Sequence, residues 1–171
     1  MNLKIESPKR KPTRLKNHDY SQNGYYFVTI CTQNHKCILS NIVGEGFPLL
    51  QLTPNGKIAE KYILNINEKY NCVKIDKYVI MPNHLHIILQ IENDGRGDPS
   101  PTIPTILGWL KYNITKEINL SDNIYGNKIF HRSFHDHIIR GEDDYLKIWN
   151  YIDTNPQKWK DDCFYCENVL F

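Results

Sequence analysis

Residues 72–91, CVKIDKYVIMPNHLHIILQI, decide the fold of this chain. Residues 72–80 and 84–91 each carry β-branched and other apolar side chains at the density of a β-strand. Between them stands Met81-Pro82-Asn83, in which the proline and the asparagine are turn formers. The stretch therefore predicts two strands that pair as a hairpin.

The segment before this hairpin predicts one strand and one helix. Residues 25–31, YYFVTIC, alternate aromatic and β-branched side chains and follow the turn formers of residues 21–24. Residues 44–52 predict a loop or a small hairpin. Thr53-Pro54 then supplies a helix N-cap and a proline at the first helical position, and apolar residues recur at helical spacing as far as Tyr70.

The segment after the hairpin predicts a helix, a strand and a last helix. A Gly/Pro-rich loop ends where residues 103–114 show one apolar stripe at helical spacing. Residues 129–139, IFHRSFHDHII, alternate as a fourth strand, and the acidic residues 142–144 open a helix that runs toward Pro156. The order β-α-β-β-α-β plus a C-terminal helix predicts an α+β, ferredoxin-like (RRM-like) fold with a four-stranded antiparallel sheet.

Length and composition indicate a single globular domain. The chain has 171 residues, of which 40% are hydrophobic and 23% charged, and this is a normal composition for a protein with one packed core. We divide it into a basic N-terminal arm, 1–20, and one domain, 21–171. No run approaches the ~18 consecutive apolar residues that a membrane span needs, and no apolar signal core follows the basic start. We therefore expect a cytoplasmic protein without a membrane partner.

The basic charge of the chain is local. The first 16 residues carry a net charge of +5, although the whole chain carries only +2. An arm of this kind is either a solvated tail or a set of phosphate contacts. For the second role the candidates are Arg10, Lys11, Arg14 and Lys16.

The cysteines predict a reducing environment. Their number is odd, five, and their spacing fits no disulfide framework, so reduced thiols are the simplest interpretation. Cys163 and Cys166 form an isolated CxxC, which alone does not define a zinc or redox site.

His84 and His86 stand two residues apart on a predicted strand. Their side chains should therefore project from one face of the sheet, while Leu85 and Ile87 project from the other. Two imidazoles on one face can hold one metal ion. The same pattern also fits two hydrogen-bonded histidines at a sheet edge, so the HxH sequence alone leaves both interpretations open.

Tyr151 and Asn155 lie together on the predicted last helix. At spacing i, i+4 the hydroxyl and the amide oxygen can reach one point on the neighbouring sheet. They flank the predicted core stripe of this helix rather than join it. Pro156 biases Asn155 away from helical geometry, so we expect Asn155 at a helix end or kink. The stripe itself is formed by Tyr145, Ile148, Trp149 and Ile152.

Two imidazoles and one amide oxygen make a partial metal shell with open positions that suit phosphate oxygens and water. The set predicts a divalent ion, Mg²⁺ or Mn²⁺, with Mn²⁺ bound at least as well because imidazole is softer than Mg²⁺ prefers; zinc stays open. Such an ion would polarise a scissile phosphate. A tyrosine hydroxyl, with a reference pKa near ~10, needs assistance to act as a nucleophile.

Five motifs in a fixed order span nearly the whole chain. They are RLKNHDYSQNGYYFVTICTQN (14–34), TPNGKIAE (53–60), YVIMPNHLHIIL (78–89), FHRSFHDHIIR (130–140) and YIDTNPQKW (151–159). With these motifs the chain resembles the REP-associated tyrosine transposases and the related single-tyrosine HUH transposases of bacterial insertion sequences. Relatives often carry a Trp-Gln pair where His131 stands, and the role of that edge is open.

The resemblance implies a role for each site residue. Tyr151 corresponds to the nucleophile, His84 and His86 to the HUH metal ligands, and Asn155 to the polar ligand one helical turn beyond the nucleophile. It implies metal-dependent cleavage and strand transfer of single-stranded, hairpin-forming DNA through a 5′-phosphotyrosine intermediate. The further DNA-binding candidates, beside the basic arm, are Lys111, Arg132 and Arg140.

Two other functions stay open on the sequence. A non-catalytic, domesticated relative would bind hairpin DNA on the same fold without cutting it. A metal hydrolase would use the HxH site on another phosphoester and leave no covalent adduct on the protein. The sequence does not identify the DNA target. It also leaves open whether the protein is self-mobilising or has a host role, and whether it is a monomer or a homodimer.

Overall fold

The computed structural model describes residues 21–44, 48–93 and 101–166. The basic arm, with the candidates Arg10, Lys11, Arg14 and Lys16, lies outside the described residues. Across the described ranges, no helix combines enough length and apolar character to cross a lipid bilayer.

In the described residues, four strands form one sheet, and all neighbouring strands in it are antiparallel. They are β1 (Gly24–Cys31), β4 (Val73–Ile80), β5 (His84–Ile91) and β6 (His135–Ile139). The sheet has the order β4-β5-β1-β6, so β5 and β1 are its inner strands. In the register of these two strands, Thr29 lies opposite His86 and Cys31 lies opposite His84.

Within the described ranges, four helices accompany these strands, one more than predicted. They are α1 (Pro54–Leu64), α2 (Ile66–Lys69), α3 (Ile103–Ser121) and α4 (Glu142–Thr154). A 3-10 turn, Pro156–Asp161, follows α4. The α+β, ferredoxin-like arrangement and the hairpin of β4 and β5 are therefore confirmed. Of residues 44–52, predicted as a loop or hairpin, those of β3 (Leu49–Leu52) pair with β2 (Ser40–Val43) in a separate two-stranded antiparallel sheet.

The first helix begins where its capping residues predict. The Thr53 hydroxyl oxygen accepts a hydrogen bond from the Gly56 amide at 3.1 Å, and Pro54 occupies the first turn. Gly56 is required there because a Cβ would lie 1.9 Å from the carbonyl oxygen of Leu39. The single helix predicted as far as Tyr70 is divided, because α1 ends at Leu64 and the short α2 follows.

The fourth strand is shorter than the predicted 129–139. Phe130 forms only an isolated bridge with Thr32, and regular pairing with β1 begins at His135. The reason lies in the intervening carbonyl groups. Those of His131 and Arg132 accept hydrogen bonds from Nζ of Lys111 at 3.3 and 2.8 Å instead of extending the ladder.

The sheet carries helices on both faces. The main core lies between one face and the helices α1 and α3, and it includes the predicted stripe of residues 103–114. The other face packs against α4 through Ile88, Ile139 and Ile152. Of the stripe predicted for α4, Ile152 is fully buried and the other three side chains are partly buried. This second layer brings α4 over the face from which His84 and His86 project.

Candidate active site

The two histidines of β5 lie on the sheet face that α4 covers. Their relative exposures are 0% for His84 and 2% for His86, while Leu85 and Ile87 belong to the main core on the opposite face. The predicted shared face of the pair is therefore confirmed. Since β5 is an inner strand, the pair does not lie at a sheet edge, although both rings are hydrogen-bonded as that alternative expected.

His84 is held in a defined tautomer by Asn83. The Asn83 amide nitrogen donates to the carbonyl oxygens of Phe164 at 2.7 Å and His35 at 3.3 Å, and this fixes the orientation of the amide. Its oxygen therefore accepts from Nδ1 of His84 at 2.9 Å. Nε2 of His84 is left with a lone pair, and among the described residues this buried atom has no hydrogen-bond partner.

His86 is positioned from β1 and contacts α4. Its Nδ1 is 2.9 Å from the hydroxyl oxygen of Thr29, and the ring stacks on Phe27 at a centroid distance of 5.2 Å. Its Nε2 is 3.2 Å from the hydroxyl oxygen of Tyr151. The side chain is thus fixed from β1 while Nε2 points toward the helix.

Both imidazoles are neutral at physiological pH. Burial lowers the pKa of His84 from 6.5 to about 4, although Asp162 opposes the shift. Burial also lowers the pKa of His86 well below its ordinary value, and the neighbouring His84 adds to this effect. Neutral imidazoles retain the lone pairs that metal ligation requires.

Tyr151 reaches the histidines from α4 and still contacts solvent. Its relative exposure is 41%, and its ring packs edge-on against Phe27 and His86 at centroid distances of 6.0 and 5.1 Å. Burial and the nearby Asp162 raise the pKa of the phenol. The hydroxyl is therefore protonated at neutral pH, and an attacking role requires help in removing its proton.

Asn155 is buried one helical turn beyond Tyr151, at 3% exposure. Its Oδ1 is buried without a hydrogen-bond partner among the described residues, and its Nδ2 is 3.4 Å from Oδ2 of Asp162. The predicted position at a helix end is confirmed, since Asn155 caps α4 before the 3-10 turn, but its backbone stays helical, with φ −58° and ψ −44°. The chain continues into the 3-10 turn, in which the backbone amide of Lys158 donates to the Asn155 carbonyl oxygen at 3.1 Å. This hydrogen bond overrides the bias from Pro156.

Asp162 is a site residue that the sequence analysis missed. One ligand atom each from His84, His86 and Asp162 lies within 4.8 Å of the others. The carboxylate is fixed because Oδ1 accepts from the Phe164 amide at 2.7 Å. Asp162 comes directly after the 3-10 turn that follows α4. Its spacing from Tyr151 therefore matches neither a helical nor a strand period.

The C-terminal segment, 156–166, covers the His84 side of the site. The Phe164 ring lies 4.9 Å from the ring of His84 between centroids. Cys166 is joined to Cys37 by a disulfide. The expectation of reduced thiols is therefore wrong for this pair, and Cys163 of the CxxC is free and exposed.

The remaining predicted residues divide into two groups. Lys111 and Arg132 lie together, through the hydrogen bond of the Lys111 ammonium to the Arg132 carbonyl. Arg140 follows the end of β6 that lies opposite Tyr25, whereas His86 and His84 lie opposite Thr29 and Cys31, at the other end of β1. Arg140 therefore does not join the cluster. His137 pairs with Asp144 at 2.8 Å, at the start of α4.

Comparison with known proteins identifies a relative by sequence and a likeness among solved structures. No family model matches the chain. An uncharacterized protein of Haemophilus influenzae is 32% identical over 174 residues, which cover 92% of this chain and 94% of the relative. The solved structure of a REP-associated tyrosine transposase bound to a REP hairpin matches with a TM-score of 0.57 at 20% identity, covering 85% of this chain and 73% of the other. At this identity the structural likeness concerns the fold.

Proposed function

We propose that this chain is a single-tyrosine DNA strand transferase. The premise is that the chain belongs to one family with the Haemophilus influenzae protein and has the fold of a REP-associated tyrosine transposase. Its substrate would be single-stranded, hairpin-forming DNA, and its reaction would require a divalent metal ion. The observation that carries the proposal is the 3.2 Å approach of the Tyr151 hydroxyl oxygen to Nε2 of His86, within the His84–His86–Asp162 cluster.

The buried polar atoms of the site fit a divalent ion. Nε2 of His84 and Oδ1 of Asn155 are buried without hydrogen-bond partners among the described residues, and both are ligand atoms. His84 and His86 would supply two nitrogen ligands, and Asp162 or Asn155 would supply oxygen. Two imidazoles with a carboxylate or amide oxygen suit Mn²⁺ at least as well as Mg²⁺.

The bound ion would polarise the scissile phosphate and stabilise negative charge on its oxygens. The chain itself supplies the nucleophile. The Tyr151 oxygen forms a bond to phosphorus, the bond from phosphorus to the 3′ oxygen breaks, and the tyrosine proton leaves to solvent. This yields a 5′-phosphotyrosine link and, after protonation, a free 3′-hydroxyl. Attack of a 3′-hydroxyl on that link reverses the step and joins two strands.

Two features of the site support this reaction, namely the exposure of Tyr151 and the fixed position of His86. The partial exposure of Tyr151 gives the phenol access to DNA and to water that can accept its proton. His86 is held by Thr29 and Phe27, so an ion bound by this ring, and the phosphate on that ion, would keep a fixed position beside the Tyr151 hydroxyl. A preorganised geometry of this kind lowers the cost of orientation in the transition state.

A covalent-adduct gel tests the proposal. The probe is a pool of hairpin oligonucleotides with single-stranded extensions of random sequence, labelled at the 3′ end because the protein would retain the fragment with the 5′-phosphate. With Mn²⁺ we expect a labelled band at the protein mass that survives denaturation. The band should disappear with chelator and in Tyr151→Phe, and it should persist in Tyr125→Phe, whose side chain is 92% exposed.

Two outcomes would contradict the proposal. DNA binding without any adduct, unaffected by chelator or by Tyr151→Phe, would indicate a non-catalytic hairpin-binding protein. Cleavage without an adduct would indicate a metal hydrolase that uses water as its nucleophile.

A further inference from the structure

A groove between α3 and the segment before β6 is not used by the proposed reaction. Its volume is about 440 Å³, which is within the size range of sites for small organic ligands. The floor includes Ile129 and Phe130, which are 4% and 7% exposed. The remaining lining residues are Lys111, Tyr112, Thr115, Asn119, Gly126, Asn127, Lys128, His131 and Arg132.

The charge of the groove favours an anionic ligand. Lys111, Lys128 and Arg132 lie along it, and none of its described lining residues is an Asp or a Glu. The whole chain, by contrast, is nearly balanced in charge, at +2. A basic groove beside an exposed aromatic ring is typical of sites for single-stranded nucleic acid. The ring here is that of Tyr112, which is 64% exposed.

Asn119 connects the two walls of the groove. Its Nδ2 donates to the carbonyl oxygen of Asn127 at 3.0 Å. This hydrogen bond ties α3 to the segment that carries Lys128.

We propose that this groove binds one unpaired nucleotide of the DNA strand. The base would lie against the apolar floor and Tyr112. The phosphate would contact Lys128 and Arg132. This inference rests on the proposed function, since it assigns a second contact to the same substrate.

The groove is close enough to the metal-ligand cluster for one strand to reach both. The His131 amide donates to the Cys31 carbonyl at 2.9 Å, and Cys31 lies opposite His84. Two strand spacings therefore separate the backbones of His131 and His84, roughly 10 Å. Because α3 covers the opposite face of the sheet, the strand would pass around the sheet edge. The nucleotide in the groove would then be a near neighbour of the scissile phosphate.

Binding of two labelled hairpins tests this inference. One hairpin is blunt and the other carries a four-nucleotide single-stranded extension, and fluorescence anisotropy is measured in chelator on a Tyr151→Phe background. We expect Tyr112→Ala, and the double substitution of Lys128→Ala with Arg132→Ala, each to weaken binding of the extended hairpin by about tenfold. Binding of the blunt hairpin should change much less. The matched control is Lys116→Ala, an exposed α3 position outside the groove lining.

The outcomes separate this inference from the proposed function. Equal losses for both hairpins, or no loss for either, would overturn the inference while DNA binding itself remains. Failure of the parent protein to bind either hairpin would count against the proposed function. A free nucleoside monophosphate that binds the groove as tightly as the extended hairpin would show a nucleotide site unrelated to a DNA strand. Circular dichroism melting of each variant checks that it is folded.

Discussion

Tyr151 of α4 and His86 of β5 meet at a single atom, since the tyrosine hydroxyl oxygen lies 3.2 Å from the imidazole Nε2. Thr29 occupies the other ring nitrogen of His86, so Nε2 is the atom that remains for a metal ion. The Tyr151 hydroxyl and a metal ion would therefore compete for Nε2 of His86.

We expect Tyr151→Phe to abolish the covalent adduct and to leave Mn²⁺ affinity equal or higher. The substitution removes the nucleophile together with the hydrogen bond that competes for Nε2 of His86. Isothermal titration calorimetry with Mn²⁺ measures the affinity beside the adduct gel. A large loss of Mn²⁺ affinity in this variant would show that the phenol is itself a ligand.

Thr29→Val tests the positioning of His86. Valine has nearly the shape of threonine but cannot hydrogen-bond Nδ1, so the ring loses the polar partner that orients it. Loss of such a partner typically costs about 10- to 100-fold in metal affinity, and we expect a Mn²⁺ titration to show a loss of this order. Unchanged affinity would mean that packing against Phe27 alone orients the ring.

Asp162→Asn tests whether the carboxylate binds the metal. Replacing a charged oxygen ligand by an amide should weaken Mn²⁺ binding strongly, whereas Asp161→Asn at the exposed neighbouring position should leave it unchanged. Asn155→Ala is titrated in parallel. If only the Asn155 variant loses affinity, the third ligand is the amide predicted from the sequence.

The buried histidines predict a loss of stability in acid for the chelator-treated protein. The folded-state pKa of His84 is about 4 and its ordinary value is 6.5, so the unfolded chain binds the proton more readily. The free energy of unfolding should therefore fall as pH decreases through this interval, by about 3 kcal/mol from His84. Urea titrations between these pH values measure it. His84→Gln should flatten the profile and His135→Gln, at an exposed position, should not.

The disulfide between Cys37 and Cys166 predicts a redox dependence of stability. It ties the segment that carries Asp162 to the chain 129 residues earlier. We expect reduction, or Cys37→Ser, to lower the free energy of unfolding by about 2–4 kcal/mol and to weaken Mn²⁺ binding. Cys163→Ser should do neither. A non-reducing peptide map that instead links Cys163 to Cys166 would contradict this pairing.

The parts of the fold with a clear period were predictable from the sequence. The alternation in residues 84–91 places His84 and His86 on one face, and the capping by Thr53 places the start of α1. The point at which the fourth strand stops pairing regularly with β1 was not predictable. It depends on Lys111, a helix residue distant in sequence, which binds two carbonyl groups that the ladder would otherwise use.

The site was predictable where its residues follow a helix or a strand. The pair Tyr151 and Asn155 is related by one helical turn, and both side chains lie beside the histidine face. Asp162 was missed because an irregular turn, not a periodic element, brings it back to the sheet. Arg140, a DNA-binding candidate from the sequence, lies away from the site because the strand direction carries it to the far end of β6.

The placement of α4 over its own sheet has a kinetic consequence. One polypeptide supplies the phenol and both imidazoles, so turnover should be first order in protein, with specific activity constant on dilution. Complementation should then fail: mixing a Tyr151→Phe copy with a His86→Ala copy should restore no cleavage. An enzyme that borrowed its nucleophile from a neighbouring copy would instead recover activity in that mixture.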